Sequence, residues 1–173
     1  MSLRPTIEEL RALGHHASKY NWGLQFIQLP SALNGFTSAD LNTRAVSFTA
    51  PERTQEAADI NLRGHKVYQH GIMTYNGSIT LDIHETVDRK TGTFFEKWMD
   101  LQWEPITGVQ IPKSTNQAIF LLTLLDSEDK AQKYYTIFGA WPKSFSHGGA
   151  YGATDSSVVI YTVEFQYDYY ITT

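Results

Sequence analysis

The C-terminal segment of the chain, VVIYTVEFQYDYYITT (residues 158–173), alternates between two kinds of side chain with a period of two. Every second position from Val159 to Ile171 is apolar or aromatic. The intervening positions are more polar and include Glu164, Gln166, Asp168 and Tyr170. This period is typical of a half-buried strand, so we predict one long strand with an apolar face toward the core. Because a long strand left at a sheet edge promotes aggregation, this strand requires a partner.

Five other segments predict strands by alternation or by a short apolar run. They are NWGLQFIQLP (21–30, ending before Pro30), RAVSFTA (44–50), GSITLDIHE (77–85), AIFLLTLLD (118–126) and KYYTIFGAWP (133–142). The last two flank the acidic turn 126–130, so we expect them to form a hairpin. A glycine-rich loop, SHGGAYGATDSS, precedes the terminal strand.

The segment DRKTGTFFEKWMDLQW (88–103) has the period of an amphipathic helix. Its apolar stripe is predicted to pack on the sheet and consists of Phe94, Phe95, Trp98 and Leu101. Two starts are open for this helix. Thr93 and Glu96 form a capping-box pair, and Asp88 could cap an earlier start that places Gly92 inside the helix.

Residues 51–72, PERTQEAADINLRGHKVYQHGI, are polar and carry charges of both signs. Because Arg63, Gly64 and His65 have the composition of a turn, we interpret the segment as an extended hairpin or a long loop. A connection of this length in a compact domain usually has a function of its own. Its candidate contact residues are Glu52, Arg53, Glu56, Asp59, Arg63 and Lys66. A mobile surface hairpin is the alternative interpretation.

The length of 173 residues suits one domain, residues 1–173, with residues 1–20 as an N-terminal helical arm in which Thr6 and Glu9 form a capping box. Only 18% of the residues are charged, whereas 42% are hydrophobic and 13% aromatic. A chain with so few charges has less surface suited to water, which favours extensive association. The net charge of −4 argues against a protein that grips nucleic acid, because neutralising phosphates needs clustered Lys and Arg.

Cysteine is absent, which excludes disulfides, thiolate metal sites and a cysteine nucleophile. The first ten residues, MSLRPTIEEL, lack the apolar core of a signal peptide. The longest apolar run, AIFLLTLL, is shorter than the roughly 20 residues that span a bilayer. We therefore expect neither signal-directed secretion nor membrane insertion by this chain.

Little in the sequence supports catalysis or a cofactor. Asp82 and His84 project from one face of a predicted strand and Glu85 from the other, which could form an acid–base pair or a metal corner but more often is a solvated strand face. The adjacent His15 and His16 have no carboxylate at a ligand-like spacing. The acidic turn lacks the glycine and glutamate of an EF-hand, and the glycine-rich loop lacks the lysine and helix of a phosphate-binding loop. We predict no catalytic residue, no metal site and no cofactor, with a small β-barrel enzyme or ligand-binding domain as the minor alternative.

Four local signatures, in this order, resemble the tail-tube proteins of contractile-tailed bacteriophages over the full length of the chain. They are the early strand closed by Leu29-Pro30, the strand SITLDIHE followed by a helix containing FFEKW, the segment FGAWPKSF from Phe138, and the terminal YTVEFQYDYY. The resemblance implies a mainly β fold, an antiparallel β-barrel or sandwich with one flanking α-helix and a short N-terminal helix. It also implies that six subunits close a ring around one continuous inner sheet and that rings stack into a hollow tube.

The resemblance further implies a structural virion protein, assembled in the host cytoplasm, which conducts DNA without binding it specifically. Its partners would be itself, the tail sheath, the baseplate and terminator proteins, and a tape-measure protein in the lumen. Residues 51–72 would then reach the next ring, and the more polar positions of the terminal strand would belong to the ring sheet. The alternative is a tube protein of a related injection machine, such as type VI secretion, or a baseplate protein that initiates the tube.

Overall fold

The computed structural model describes residues 7, 19–149, 151–152, 154 and 156–173. The N-terminal arm predicted over residues 1–20 lies almost entirely outside the described residues. Within them the strands are β1 (Trp22–Gln28), β2 (Ala45–Phe48), β3 (Arg53–Leu62), β4 (His65–Tyr75), β5 (Ser78–His84), β6 (Ala118–Leu125), β7 (Ala131–Ser146), β8 (Ile160–Gln166) and β9 (Tyr169–Thr172). The helices are α1 (Ser38–Arg44), α2 (Lys90–Asp100) and α3 (Lys113–Asn116).

Two antiparallel sheets share the long strand β7. Sheet I has the order β1-β6-β7-β9 and uses the N-terminal part of β7. Sheet II has the order β7-β8-β5-β2 and uses the C-terminal part of β7. Strands β3 and β4 form a separate two-stranded sheet. The predicted mainly β, antiparallel fold is therefore confirmed, and so is the predicted pairing of β6 with β7.

Strand β7 passes from sheet I to sheet II around Gly139. This residue has φ +67°, a left-handed conformation that glycine adopts without strain. A Cβ at this position would also collide with the carboxylate of Asp168. The bend therefore depends on a residue that has no side chain.

The core lies around α2, whose Phe95 and Trp98 are fully buried. The Trp98 ring lies 5.6 Å from the Phe165 ring of sheet II and 6.5 Å from the Phe120 ring of sheet I, so this helix contacts both sheets. The Trp98 Nε1–H donates to the Asn116 carbonyl at 2.9 Å, which satisfies the one polar group of the buried indole. In the predicted stripe, Phe94, Phe95 and Trp98 are buried and Leu101 is half-buried.

The prediction of one long terminal strand was wrong. Strand β8 ends at Gln166 and β9 begins at Tyr169. Strand β8 pairs with β7 in sheet II, and β9 pairs with β7 in sheet I. The terminal segment breaks because it follows β7 from one sheet to the other.

The break also changes which side chains face the core. Tyr167 and Tyr170 are both buried, whereas Tyr169 and Ile171 are exposed. Tyr170 therefore does not share the solvent face of Glu164, as the uninterrupted alternation predicted. Asp168 lies in the break and not on a strand.

The structure contains a helix that was not predicted from the sequence. Helix α1 begins after Thr37, whose hydroxyl accepts from the backbone N–H of Asp40 while the Asp40 carboxylate accepts from the Thr37 N–H. This T-x-x-D capping box is visible in the sequence, but the helix is only two turns long. The single turn α3 was not predicted either.

Helix α2 has the earlier of its two predicted starts. It begins at Lys90, whose N–H donates to the Asp88 carboxylate at 3.2 Å, and Gly92 lies inside it. Thr93 does not cap the helix, because its hydroxyl donates to the Arg89 carbonyl one turn earlier. The N-cap position is Arg89, with φ 53° and no side-chain hydrogen bond to the helix.

Candidate assembly surfaces

The β3–β4 hairpin, residues 53–75, projects from the sandwich and is called the projecting hairpin below. Its strands pair from Arg53–Tyr75 to Leu62–His65, and nearly all of its residues are exposed on both faces. The turn uses Arg63 at φ 46° and Gly64 at φ 85°, the left-handed pair of a tight hairpin turn. The ten residues of β3 span roughly 33 Å at about 3.3 Å per residue. A two-stranded hairpin is marginally stable alone in water, so an element of this length requires a partner.

The two faces of the projecting hairpin differ in character. Residues paired across the strands share a face, and one face carries the pair Ile60 and Val67 with Leu62 and Ala58 beside it. Leu62 is 64% exposed and Val67 is 51% exposed. Gln69 and His65, paired with Ala58 and Leu62, lie on the same side, and we call the four apolar residues the apolar hairpin face. The opposite face carries Asp59, Asn61, Lys66, Tyr68 and His70.

The base of the projecting hairpin is fixed to the sandwich. The Glu52 carbonyl accepts from the Tyr167 hydroxyl at 3.2 Å and from the Asn76 N–H at 3.0 Å. The Arg53 guanidinium lies 5.9 Å from the centre of the Tyr170 ring. Burial raises the pKa of Tyr167, which keeps its hydroxyl protonated and able to donate. Beyond this base the hairpin has few contacts with the other described strands and helices.

The six charged residues predicted as contacts lie at different places on this element. Glu52 and Arg53 are at the base, and Arg63 is at the turn. Glu56 lies opposite Gly71 at an irregularity in the pairing, where a Cβ on Gly71 would lie 2.7 Å from the Glu56 carbonyl oxygen. Asp59 and Lys66 form an ion pair at 2.6 Å within the hairpin. The apolar hairpin face was not predicted, although Ile60 and Leu62 show its period of two.

The solvent face of sheet II is polar. The Asp82 carboxylate accepts from the Ser47 and Thr162 hydroxyls, each at 2.7 Å. The Glu164 carboxylate accepts from the Ser78 hydroxyl at 2.7 Å and from Lys143 at 3.1 Å. These two donors lower the pKa of Glu164, so this carboxylate is charged at neutral pH.

The solvent face of sheet I is uncharged and mainly apolar instead, with Gln25, Thr123 and Thr136 as its polar residues. Phe120 and Leu122 of β6 point into the core, so the alternating Ile119 and Leu121 point away from it. Similar side chains lie on the same side of the neighbouring strands, namely Ile27 of β1, Tyr134 and Phe138 of β7, and Tyr169 and Ile171 of β9. Phe138 and Tyr169 stack with ring centres 4.8 Å apart. None of the strand residues that the structure describes on this side is charged. We call seven of these side chains the uncharged face: Ile27, Ile119, Leu121, Tyr134, Phe138, Tyr169 and Ile171.

The edge of sheet I at β1 is closed by helix α1. The Leu24 N–H donates to the Asn42 side chain at 2.7 Å, and the Phe26 N–H donates to the Ser38 hydroxyl at 3.0 Å. These bonds satisfy backbone groups that an added strand would use. Extension of the sheet by another copy is therefore disfavoured at this edge, which directs attention to the face.

The residues of the alternative catalytic hypothesis have separate structural roles. Asp82 is held by Ser47 and Thr162, and the Nδ1 atom of His84 is buried without a hydrogen-bond partner. Glu85 follows β5 and turns inward, where its side chain is 2% exposed. Its carboxylate accepts from the Thr91 and Gly92 N–H groups of α2, at 3.3 and 2.7 Å. Glu85 therefore caps the positive end of α2 and is not positioned with Asp82 as an acid–base pair.

Two ion pairs join α1 to the start of α2. Lys90 donates to Asp40 at 2.8 Å, and this bond holds the pKa of Asp40 well below its usual value. Arg44 lies 3.2 Å from Asp88, and hydrogen bonds from Thr86 and then Arg44 lower the pKa of Asp88 to about 2. These contacts fix α1 against the start of α2.

In the part of the chain that the structure describes, no helix is long and apolar enough to cross a membrane. No cluster of three or more His, Cys, Asp or Glu side chains there could hold a metal ion.

Comparison with solved structures places this architecture among known folds. A chain of the cryo-EM structure of the sheath–tube complex of an extracellular contractile injection system, PVC, superposes with a TM-score of 0.62 over 98% of this chain and 99% of that one, at 12% identity. A chain of the PVC sheath/tube terminator structure gives a TM-score of 0.63 over 93% and 99%, also at 12% identity. A chain of the anti-feeding prophage cap, described as a tube terminating cap, gives 0.62 over 92% and 91%, at 12% identity. The chain has a tail-tube fold.

Sequence comparison adds no further relative. No protein-family model matches this chain, and no curated protein matches it. The tail-tube fold expected from the resemblance is confirmed by the structural similarity. Because the sequence identities are only 12%, this similarity establishes the fold alone.

Proposed function

We propose that this protein is a non-catalytic tube subunit of a contractile injection machine. Copies associate into rings, and the rings stack into a tube inside a contractile sheath. The observation that carries the proposal is the similarity to a chain of the PVC sheath–tube complex across 98% of this chain and 99% of that one. A likeness over the full length supports a subunit that is itself the building block.

The surfaces of the protein support self-association. The projecting hairpin extends roughly 33 Å without a partner among the described residues, and the uncharged face places seven apolar or aromatic side chains on one side of sheet I. Monomeric proteins rarely expose contiguous apolar patches of more than a few hundred Å². Both features are expected of a subunit whose neighbours are further copies.

We propose six copies per ring, by analogy with the anti-feeding prophage baseplate. That structure is described as six-fold symmetrised, and one of its chains superposes with a TM-score of 0.54 at 17% identity over 88% of this chain and 90% of that one. The charged residues Glu52 and Arg53 at the base, Glu56 at the pairing irregularity and Arg63 at the turn are proposed to pair with the next ring. Asp59 and Lys66 contribute less, because they already neutralise each other. Sheath, baseplate, terminator and tape-measure proteins are the proposed further partners.

We assign the solvent face of sheet II to the lumen. Its carboxylates Asp82 and Glu164 are held by hydroxyl groups, and Lys143 is engaged by Glu164. A wall of this kind repels phosphate groups, and the net charge of −4 acts in the same direction. DNA would therefore pass without being held, as the proposed tail tube of a contractile-tailed phage requires. Glu164 and Gln166 would face the channel, whereas Tyr170 would not.

A second candidate is a tube subunit of an extracellular injection machine, because the similar PVC chains come from such a system. The two candidates differ in cargo. Particles containing this protein should be purified, treated with nuclease and extracted. Protected DNA of genome length supports the phage tail tube, and particles without DNA support the extracellular machine.

The proposal is tested by purifying the protein and measuring its mass by light scattering while imaging it in negative stain. Rings that grow into hollow tubes as concentration rises are expected. As a matched control, Asp82→Asn with His84→Ala should assemble like the wild type, because a tube needs no catalysis from these residues. A particle that is folded but monomeric at every concentration, with and without a baseplate extract, would contradict the proposal.

A further inference from the structure

We propose that the uncharged face of sheet I binds the apolar hairpin face of a second copy of this chain. The inference rests on the proposed function and adds to it by naming the two surfaces that meet. One surface is the seven side chains around Leu121 and Ile171, and the other is Ala58, Ile60, Leu62 and Val67 of the projecting hairpin.

Neither surface is covered by the residues that the structure describes. Ile27, Tyr134, Tyr169 and Ile171 of the uncharged face are between 38% and 56% exposed. The hairpin is tied to the sandwich at Glu52 and Arg53, and its strands have few contacts with β6 or β7. Because the hairpin does not fold back over its own sheet I, these two surfaces can meet only between different copies of the chain.

The two surfaces match in chemistry. The uncharged face carries no ionised group in its strands, so covering it removes apolar side chains from water without stripping any charge of its hydration. On the hairpin, the ionised Asp59 and Lys66 lie on the opposite side and stay in solvent as an ion pair when the apolar face is covered. The hairpin therefore binds through its apolar face, because burying the other face would remove the charges of Asp59 and Lys66 from water.

The sizes match as well. Four strands about 4.8 Å apart, each contributing about five residues at 3.3 Å, give sheet I a flat surface of roughly 300 Å². The apolar hairpin face runs from Ala58 to Leu62, about 13 Å at 3.3 Å per residue, and fits within that surface. The solvent face of sheet II is a poorer receiver, because covering it would desolvate the carboxylates of Asp82 and Glu164.

The pairing of two different surfaces has a consequence for symmetry. A contact between unlike patches is head-to-tail, so each copy both gives a hairpin and receives one. Repetition of such a contact closes a ring or continues as a filament, whereas a contact between identical patches stops at a dimer. The proposed contact therefore supplies the type of interface that rings of this protein need.

Cross-linking tests the contact directly, because the wild-type chain has no cysteine. The double variant Val67→Cys with Ile171→Cys is treated with a bis-maleimide, whose spacer tolerates an imperfect register. We expect a ladder of covalent species that continues past the dimer on a denaturing gel. Two control pairs each move one of the two thiols. Tyr68→Cys with Ile171→Cys places the hairpin thiol on the other face of the hairpin. Val67→Cys with Ile106→Cys places the second thiol at a side chain that is 91% exposed but lies outside sheet I, and both pairs should give a weaker ladder.

A charge test complements the cross-linking. Val67→Asp is expected to raise the concentration at which rings form at least tenfold, whereas Tyr68→Asp on the solvated hairpin face should change it less than twofold. Combining Val67→Asp with Ile171→Lys should restore part of the loss.

Three results would overturn the inference. The first is an equal ladder in the test pair and in both controls, and the second is a ladder that stops at the dimer. The third comes from a further double variant, Leu10→Cys with Ile171→Cys: a maleimide bridge within one chain would place the N-terminal segment on this face. If rings are seen by microscopy in the absence of the expected ladder, the inference fails and the proposed function stands. If no rings form under any condition, the proposed function itself fails.

Discussion

Replacing Glu85 tests whether this buried carboxylate is a structural cap. The Glu85 side chain is 2% exposed and accepts from the N–H groups of Thr91, Gly92 and Thr86. Gly92 permits this approach, because a Cβ there would lie 2.9 Å from the Glu85 Oε2 atom. The variant Glu85→Ala removes the acceptor while leaving the donors in place.

The magnitude follows from the donors that lose their partner. Thr91 and Gly92 are both buried, and a buried donor left unsatisfied costs about 1–3 kcal/mol. Entry of water into the space left by the side chain reduces this cost, so we expect a loss of about 3 kcal/mol in the free energy of unfolding. For a domain of this size the loss corresponds to a fall of about 6–12 °C in Tm.

The assay is urea unfolding, followed by tryptophan fluorescence, under dilute conditions in which the protein is monomeric. The isosteric Glu85→Gln keeps one carbonyl acceptor and should lose about half as much stability. Glu96→Gln is the matched control, because Glu96 lies on the same helix with its side chain 54% exposed and should change stability by less than about 0.5 kcal/mol. A Glu85→Ala protein within 1 kcal/mol of the wild type would refute the assignment of Glu85 as a structural cap.

Three further changes probe the fold. Gly139→Ala should lower the free energy of unfolding by about 1–3 kcal/mol or more, because the left-handed backbone and the nearby Asp168 carboxylate leave no room for a methyl group. An unchanged urea unfolding curve would contradict the need for glycine at this point of β7. Asp88 has a lowered pKa, so its contribution is present above about pH 4 and is lost as the pH falls toward 2. As the pH falls over that range, the free energy of unfolding of Asp88→Asn should therefore decrease less than that of the wild type. Parallel decreases in the two proteins would contradict this role of Asp88. Trp98→Phe should lower the free energy of unfolding by about 1–3 kcal/mol, because it removes the donor to the buried Asn116 carbonyl. An unchanged stability in calorimetry would show that this hydrogen bond adds nothing.

Local pattern was sufficient to predict most of the strands, the β6–β7 hairpin and the aromatic stripe of α2. The terminal segment shows where local pattern fails. Tyrosine suits both faces of a strand, so the alternation in QYDYY continues past the point where the chain changes sheets. That point is set by the bend of β7 at Gly139, a long-range feature that alternation does not contain.

The assembly surfaces illustrate a different difficulty. The charges of residues 51–72 led to a prediction of polar contacts, although Asp59 and Lys66 turn out to pair with each other. The apolar hairpin face was present as Ile60 and Leu62 in alternate positions. The uncharged face could not be predicted in the same way, because a short apolar run such as AIFLLTLL does not show that one of its faces lacks a cover.

A cryo-EM reconstruction of the assembled protein tests the central claim most directly. We predict a six-fold ring with a channel lined by Glu164 and the other polar side chains of sheet II, and with each projecting hairpin seated on the uncharged face of the next copy. A two-fold dimer with a closed interface, or a particle that stays monomeric at high concentration, would contradict the assignment of this protein as a tube subunit.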